Sequence, residues 1–188
     1  MDANIDQKKR LVDGNTLFMR SVDPRHLKQL ATGQHPFYAI LACSDSRVDP
    51  ARIFSLDLGD AFVVRSVGNT VADAVALGSL EYAVEHLHVK GIIVLGHTGC
   101  GAVRAAVSPD GSEPARLRAV LKDIEKAKYR LPADQQNDLN RIAENNVRLQ
   151  LKAIEGGSTI ISRKLLDGSV HMFGAIYDIS TGNVQFIS

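Results

Sequence analysis

Two uninterrupted apolar runs of strand length constrain the fold of this chain more than any other feature. They are Phe37–Cys43 and Gly91–Gly96, and Ala61–Arg65 is a third candidate strand. Runs without polar alternation are typical of strands in parallel sheets that are covered on both faces. Amphipathic stretches separate them and predict helices. These helices are expected over residues 5–20, 71–87, 114–130 and 134–155, with a short one after Gly101. Strands that alternate with helices predict an α/β fold with a mostly parallel central β-sheet flanked by helices.

The C-terminal region predicts an antiparallel end to that sheet. Val170–Asp178 and Val184–Ile187 flank the sequence Ser-Thr-Gly-Asn at 180–183, which is typical of a hairpin turn. Gly156 and Gly157 are expected to end the preceding helix. The length of 188 residues fits a single domain over 1–188, with an N-terminal helical arm at about 1–22.

Composition excludes several classes of function. The chain has 22 basic and 21 acidic side chains, a net charge of +1, so no basic surface for nucleic acid is expected. No apolar run approaches the roughly 20 residues that span a bilayer, and the N-terminus resembles no secretory signal. We therefore expect a cytoplasmic protein with no membrane partner. Two cysteines are too few for a disulfide scaffold, and a reducing cytosol disfavours a bridge between them.

Both cysteines follow or end predicted strands, where functional groups of parallel sheets gather. Cys43 ends the first run, and His97 and Cys100 follow the second in a His-x-x-Cys turn. Two thiolates and one imidazole favour zinc, and three protein ligands leave the fourth position open as in catalytic sites. Glycines at 96, 99 and 101 are expected to let the chain bend sharply there. An alternative interpretation remains, in which the cysteines fill the core and His97 forms a local hydrogen bond.

A carboxylate and a guanidinium follow Cys43 at a spacing of two residues. Arg47 can hold both carboxylate oxygens of Asp45 in a bidentate pair. The pair would keep Asp45 away from the metal and free to accept a hydrogen bond from water. An ordinary salt bridge is the alternative interpretation.

Three motifs together resemble the β-class carbonic anhydrases. They are Cys-Ser-Asp-Ser-Arg-Val at 43–48, Glu-Tyr-Ala-Val at 81–84 and Gly-His-Thr-Gly-Cys-Gly at 96–101. The resemblance covers nearly the whole chain. It implies that Cys43, His97 and Cys100 are the zinc ligands, with one Zn²⁺ per subunit. It also implies that Asp45 and Arg47 form the catalytic dyad.

Further positions resemble the plant-type branch of this family. Gln34 matches its substrate-binding glutamine, Phe62 and Tyr82 match its pocket aromatics, and Val48 and Val67 match its small apolar wall. The resemblance implies that the two aromatic rings reach the zinc of a partner subunit. The expected active unit is therefore a homodimer or a larger homo-oligomer.

The implied reaction is the zinc-dependent, reversible hydration of carbon dioxide to bicarbonate and a proton, by attack of zinc-bound hydroxide. A hydrolase of carbonyl sulfide or carbon disulfide is the alternative, because the same metal site would serve both. A non-enzymatic zinc-binding homologue is disfavoured, because Gln34, Asp45 and Arg47 are all present.

Overall fold

The computed structural model describes residues 3–109 and 111–187, so positions 1, 2, 110 and 188 of the predicted domain lie outside it. The chain divides into two units, Met1–Gln34 and His35–Ser188. The first unit contains helices α1 (Ala3–Ser21) and α2 (Pro24–Leu30). The apolar side chains that α1 presents in this unit, such as Leu11 and Met19, are exposed.

The second unit is built on one five-stranded sheet of order β2-β1-β3-β4-β5. The first four strands in this order pair in parallel, and the last pair is antiparallel, as predicted. The strands are β1 (Tyr38–Cys43), β2 (Ala61–Ser66), β3 (Gly91–His97), β4 (His171–Tyr177) and β5 (Val184–Ile187). The helices are α3 (Pro50–Ile53), α4 (Ala74–Glu85), α5 (Gly101–Val107), α6 (Ala115–Tyr129), α7 (Leu139–Gly157) and α8 (Thr159–Leu166).

The two apolar runs form the centre of the sheet. β3 is buried at every position and β1 at all but its first. Alternate residues of β1 enter different core clusters, because side chains along a strand point to opposite faces. Leu41 packs in a cluster with Leu80 of α4 and Val147 of α7, whereas Ile40 packs in another with Leu95 of β3.

The face of the sheet that carries Ile40 has an apolar groove of about 540 Å³. Ile40, Ile93 and Phe173 line its floor, together with Phe186 of β5. Phe173 and Phe186 are themselves exposed. The sheet of this chain is therefore covered more completely on one face than on the other. No helix within the described residues has the length and apolar character needed to cross a membrane.

The helix predicted over 134–155 begins later and ends later than expected. A 3₁₀ turn occupies Ala133–Gln135, and α7 starts only after Asp138, whose carboxylate accepts hydrogen bonds from the N–H groups of Asn140 and Arg141. A side chain that binds the first free N–H groups defines a helix start. The prediction that Gly156 and Gly157 end this helix is confirmed, since the last residue of α7 is Gly157. Ser158 then caps α8, a helix that the sequence pattern did not predict.

Gly96 allows close packing rather than a bend. It lies inside β3, and a Cβ added there would be 2.6 Å from Val147 Cγ2 and 2.9 Å from Ile176 Cδ1. Of the three glycines expected to bend the chain, Gly99 alone has a positive φ, of 64°. The expectation was therefore wrong for Gly96 and Gly101, and glycine at 96 is required by helix α7 lying close to the sheet.

We expect Gly96→Ala to lower the free energy of unfolding by about 1–3 kcal/mol, because the added methyl group overpacks the interface between α7 and the sheet. Gly78→Ala is the matched control. Gly78 lies within α4, and a Cβ added there meets nothing within 4 Å. The free energy of unfolding of Gly78→Ala should therefore equal that of the wild type or exceed it by up to about 1 kcal/mol. Urea unfolding at one protein concentration measures both. If Gly96→Ala unfolds at the same urea concentration as the wild type, the packing relaxes around the added methyl group and the prediction is wrong.

Candidate metal centre

Three side chains with metal-binding atoms meet at the carboxyl edge of the sheet. Cys43 is the last residue of β1, His97 is the last of β3, and Cys100 precedes the first turn of α5. Their sulfur and nitrogen atoms all lie within 4.8 Å of one another, and each residue is at most 4% exposed. Both cysteines are free, so the disulfide alternative is wrong for this structure. The structure brings together the three residues that the sequence singled out.

The imidazole of His97 is oriented by its neighbour. Its Nδ1 lies 3.0 Å from the carbonyl oxygen of Thr98. A carbonyl only accepts hydrogen bonds, so Nδ1 carries the proton and Nε2 has the free lone pair. Nε2 is buried and has no hydrogen-bond partner. A metal-binding histidine has this arrangement, in which one ring nitrogen is held by the protein and the other is available to the ion.

The two thiols of the cluster affect each other's pKa. A hydrogen bond from Cys100 lowers the pKa of Cys43, and the backbone N–H groups of Asp45 and Gly68 lower it further against the effect of burial. The pKa of Cys100 is raised, because its thiol donates to the Cys43 sulfur and is buried. A cation held between the two sulfurs would favour the deprotonated form of both. Two sulfurs and one imidazole nitrogen fit zinc.

The turn between His97 and Cys100 is tied to two other elements. The N–H of Ile179 donates to Thr98 Oγ1 at 3.1 Å, and the N–H of Gly99 donates to Asn140 Oδ1 at 3.3 Å. Asn140 belongs to the first turn of α7. The left-handed conformation of Gly99 allows the chain to reverse within this short segment.

Asp45 and Arg47 form the predicted bidentate pair. Arg47 Nε donates to Oδ1 of Asp45 at 2.9 Å and its Nη2 donates to Oδ2 at 2.7 Å. The N–H of Arg47 also donates to Oδ1 at 3.0 Å. These hydrogen bonds, the side-chain ones first, hold the pKa of Asp45 well below its usual range. Asp45 is therefore a carboxylate at any pH near neutrality, and both of its oxygens are engaged.

Arg65 holds the backbone between Cys43 and Asp45. Its Nε donates to the carbonyl of Cys43 at 3.2 Å, and its Nη2 donates to the carbonyl of Asp45 at 2.7 Å. Arg65 comes from β2, the strand next to β1. The cysteine and the carboxylate are therefore held in position by one guanidinium from the neighbouring strand.

The predicted pocket residues fall into separate groups. Val48 is buried close to Asp45 in the chain, and Val67 is half-exposed at the end of β2. The rings of Phe62 and Tyr82 lie 6.1 Å apart. Phe62 is four residues before Ser66, the register partner of Cys43, so it lies about 13 Å away along the strand direction. These rings are together, but not beside the cysteines of their own chain.

Gln34 is the last residue of the N-terminal unit and is exposed. Its place beside the cysteines stays a prediction.

Sequence reasoning missed a set of buried polar residues behind Cys43. Asn146 and Gln150 lie on the buried face of α7, and they bind the backbone of the turn that contains Gly68. The available signal was their position, since the two amides interrupt the apolar stripe of α7 at a spacing of four residues. A stripe of this kind is usually attributed to packing alone.

Comparisons with known proteins agree with this geometry. A model of the family described as carbonic anhydrase matches residues 38–184. Carbonic anhydrase 2 of Mycobacterium tuberculosis is 36% identical over 185 residues, which cover 93% of this chain and 88% of that protein. The carbonic anhydrase of Mycolicibacterium smegmatis is 35% identical over 192 residues, which cover 96% of this chain and 91% of that protein.

The fold also matches solved structures. It resembles a β-carbonic anhydrase of the filamentous ascomycete Sordaria macrospora, one of two described as tetrameric. That match has a TM-score of 0.85 and 27% identity, and it covers 100% of this chain and 98% of that chain. A Coccomyxa β-carbonic anhydrase, solved in complex with acetazolamide, matches with a TM-score of 0.78 and 28% identity. It covers 96% of this chain and 83% of that chain. The chain therefore belongs to the β-class carbonic anhydrases, a family of carbonate dehydratases.

Proposed function

We propose that this protein catalyses the reversible hydration of carbon dioxide to bicarbonate and a proton, with zinc held by Cys43, His97 and Cys100. The observation that carries the proposal is the convergence of three buried donor atoms within 4.8 Å, next to a carboxylate held by Arg47. The family membership supports the same reaction. The three ligands come from two adjacent strand ends and one helix start, so the fold brings them together without any further ordering.

Zinc bound there would act as a Lewis acid that activates water for attack on the carbon of carbon dioxide. The residues of the chain then have distinct tasks. Asp45 is ionised and can only accept hydrogen bonds, so it orients the attacking water through a carboxylate oxygen. Arg47 keeps that carboxylate charged and correctly placed. Because the hydrogen bonds from Arg47 hold its pKa below the usual range, Asp45 acts as an acceptor and not as a store for the released proton.

The pocket residues are proposed to bind an uncharged, linear substrate. Val48 and Val67 form an apolar wall, and the amide of Gln34 donates a hydrogen bond to a substrate oxygen. The separation of Phe62 and Tyr82 from the cysteines of the same chain supports their action in a partner subunit. This set of residues supports membership of the plant-type branch.

We also propose that the active form is a homo-oligomer. β2 is an edge strand, and its outer side and Tyr82 are exposed in this chain. An edge strand offers unpaired N–H and carbonyl groups to a second chain. The Sordaria macrospora structure that this fold matches is described as tetrameric, which supports the same conclusion. We further propose that the chain forms a single domain and that the protein acts in the cytoplasm.

Stopped-flow assays of carbon dioxide hydration and carbonyl sulfide hydrolysis, run side by side on zinc-loaded protein, test the proposed reaction. We expect fast hydration of carbon dioxide and much slower hydrolysis of carbonyl sulfide. Faster turnover of carbonyl sulfide would favour the hydrolase. Zinc binding without either activity would favour a non-enzymatic role.

The variants Cys43→Ser and His97→Asn should each lose bound zinc and carbon dioxide hydration, because each removes one of three ligands. His171→Asn is the control, because His171 is exposed at the start of β4 and lies outside the cluster. Elemental analysis of the purified variants gives the zinc content. Full zinc and activity in Cys43→Ser would refute the ligand assignment.

The variant Asp45→Asn should retain zinc and lose turnover by roughly 10²-fold or more, the usual size of an acid–base or orienting contribution. An amide cannot accept two hydrogen bonds from Arg47 and also present a charged oxygen to water. Asp49→Asn is the matched control, because Asp49 forms a looser surface pair with Arg52 at 3.7 Å. Equal activities of the two variants would contradict the role of Asp45.

A further inference from the structure

The turn after β2 passes behind Cys43 and donates a hydrogen bond to it. Ser66, which ends β2, is the register partner of Cys43, so the turn at Val67–Asn69 begins beside this cysteine. The Gly68 N–H is one of the groups that lower the pKa of Cys43. Gly68 has a φ of 67° and Asn69 a φ of 47°, so two successive residues adopt the left-handed conformation. This conformation is costly for a residue with a side chain, so the surrounding structure must hold the turn in place.

Space around Gly68 is as restricted as its backbone. A Cβ added there would lie 2.4 Å from Cδ1 of Ile124, a side chain of α6. The turn is therefore pressed against the helical layer, and any shift of the turn changes the direction of the Gly68 N–H.

Two buried amides of α7 bind the turn at both ends. Asn146 Nδ2 donates to the carbonyl oxygen of Gly68 at 2.9 Å, and the N–H of Val71 donates to Gln150 Oε1 at 2.9 Å. Asn146 is 1% exposed and Gln150 is 2% exposed. Burial of an amide costs free energy unless it is hydrogen-bonded, so the two contacts cannot be replaced by solvent.

The orientation of both amides is determined by the hydrogen bonds among them. Because Val71 N–H requires an acceptor, Gln150 must present its oxygen there and its Nε2 on the other side. That Nε2 donates to Asn146 Oδ1 at 3.2 Å and to Asp123 Oδ2 at 3.1 Å. Asn146 therefore has its Nδ2 free to donate to Gly68. The hydrogen bonds therefore run in one direction, from the Val71 N–H through Gln150 and Asn146 to the carbonyl oxygen of Gly68.

We propose that Asn146 and Gln150 are positioning residues for the metal centre, which act through the Gly68 N–H on the sulfur of Cys43. A hydrogen bond from a fixed N–H orients the sulfur toward the ion and withdraws electron density from it, so its loss leaves the ligand less well placed and more electron-rich. Neighbours that orient metal ligands commonly change affinity or activity by 10- to 100-fold when they are removed. The inference rests on the proposed function, since it takes Cys43 as a ligand.

The test compares Asn146→Leu with Asn145→Leu in the full-length protein. Leucine is close to asparagine in size and forms no hydrogen bond. Asn145 is the matched control, because it lies on the same helix and its Nδ2 donates to the carbonyl of Ala127 at 2.7 Å, away from the turn. Both variants lose a hydrogen bond from an amide to a backbone carbonyl, and Asn146→Leu also loses the one that Asn146 accepts from Gln150. Both should therefore unfold at lower denaturant concentration.

The deciding measurements are the thiolate-to-metal charge-transfer absorption of the Co²⁺-substituted protein and the zinc dissociation constant from chelator competition. For Asn146→Leu we expect the band at longer wavelength and a dissociation constant roughly 10-fold or more above that of wild type. Asn145→Leu should keep the wild-type band and affinity. Gln150→Met should shift the band in the same direction, which provides a second variant if Asn146→Leu fails to fold.

If Asn146→Leu and Gln150→Met are less stable but keep the wild-type spectrum and zinc affinity, the inference is overturned while the proposed function stands. Equal changes in Asn145→Leu would also overturn it, since they would mean that any loss of stability in α7 moves the metal centre. A wild-type protein that binds neither Co²⁺ nor Zn²⁺ would overturn the proposed function and this inference with it.

Discussion

The parallel pairing of β1 with β3 is the constraint on which the candidate site depends. Parallel strands end at the same edge of a sheet, so the residues that end β1 and β3 lie side by side there. Both strands are almost entirely buried, and their register is held by apolar side chains on both faces. A slip of one residue would move Cys43 to the opposite face of the sheet. The apolar cores therefore set the positions of the metal-binding atoms.

Helix α7 packs against the sheet and contacts the turns at its carboxyl edge, where β1 and β3 end. Its apolar residues pack against the sheet, and the absence of a side chain at Gly96 lets the helix approach closely. The same helix provides polar contacts along its length. Asn140 binds the turn before Cys100, while Asn146 and Gln150 bind the turn behind Cys43. One rigid element thus contacts the segments on both sides of the cluster, so the two cysteines share a common support.

The parts of the fold that were predicted from sequence are those with local signals. The strands β1 and β3 are long apolar runs; Cys43 and His97 are their last residues, and Cys100 follows three residues after His97. The pairing of Asp45 with Arg47 follows from a spacing of two residues. The late start of α7 and the helix α8 also have local signals, the caps Asp138 and Ser158, but the apolar pattern alone did not reveal them. The purpose of Gly96 was not predicted, because it depends on contact with the distant helix α7. The same holds for Asn146, whose partner Gly68 is 78 residues away.

Arg47 occupies the carboxylate of Asp45 beside the cluster of Cys43, His97 and Cys100. A carboxylate as close to the cluster as Asp45 would compete with water for a bound cation. In this structure three donors hold Asp45, namely Nε, Nη2 and the backbone N–H of Arg47. Two of these are charge-assisted and bidentate, which is the strongest arrangement for a carboxylate. Movement of Asp45 onto a metal would break these hydrogen bonds and leave the guanidinium without its partner, so the pair favours the open site that the proposed reaction requires.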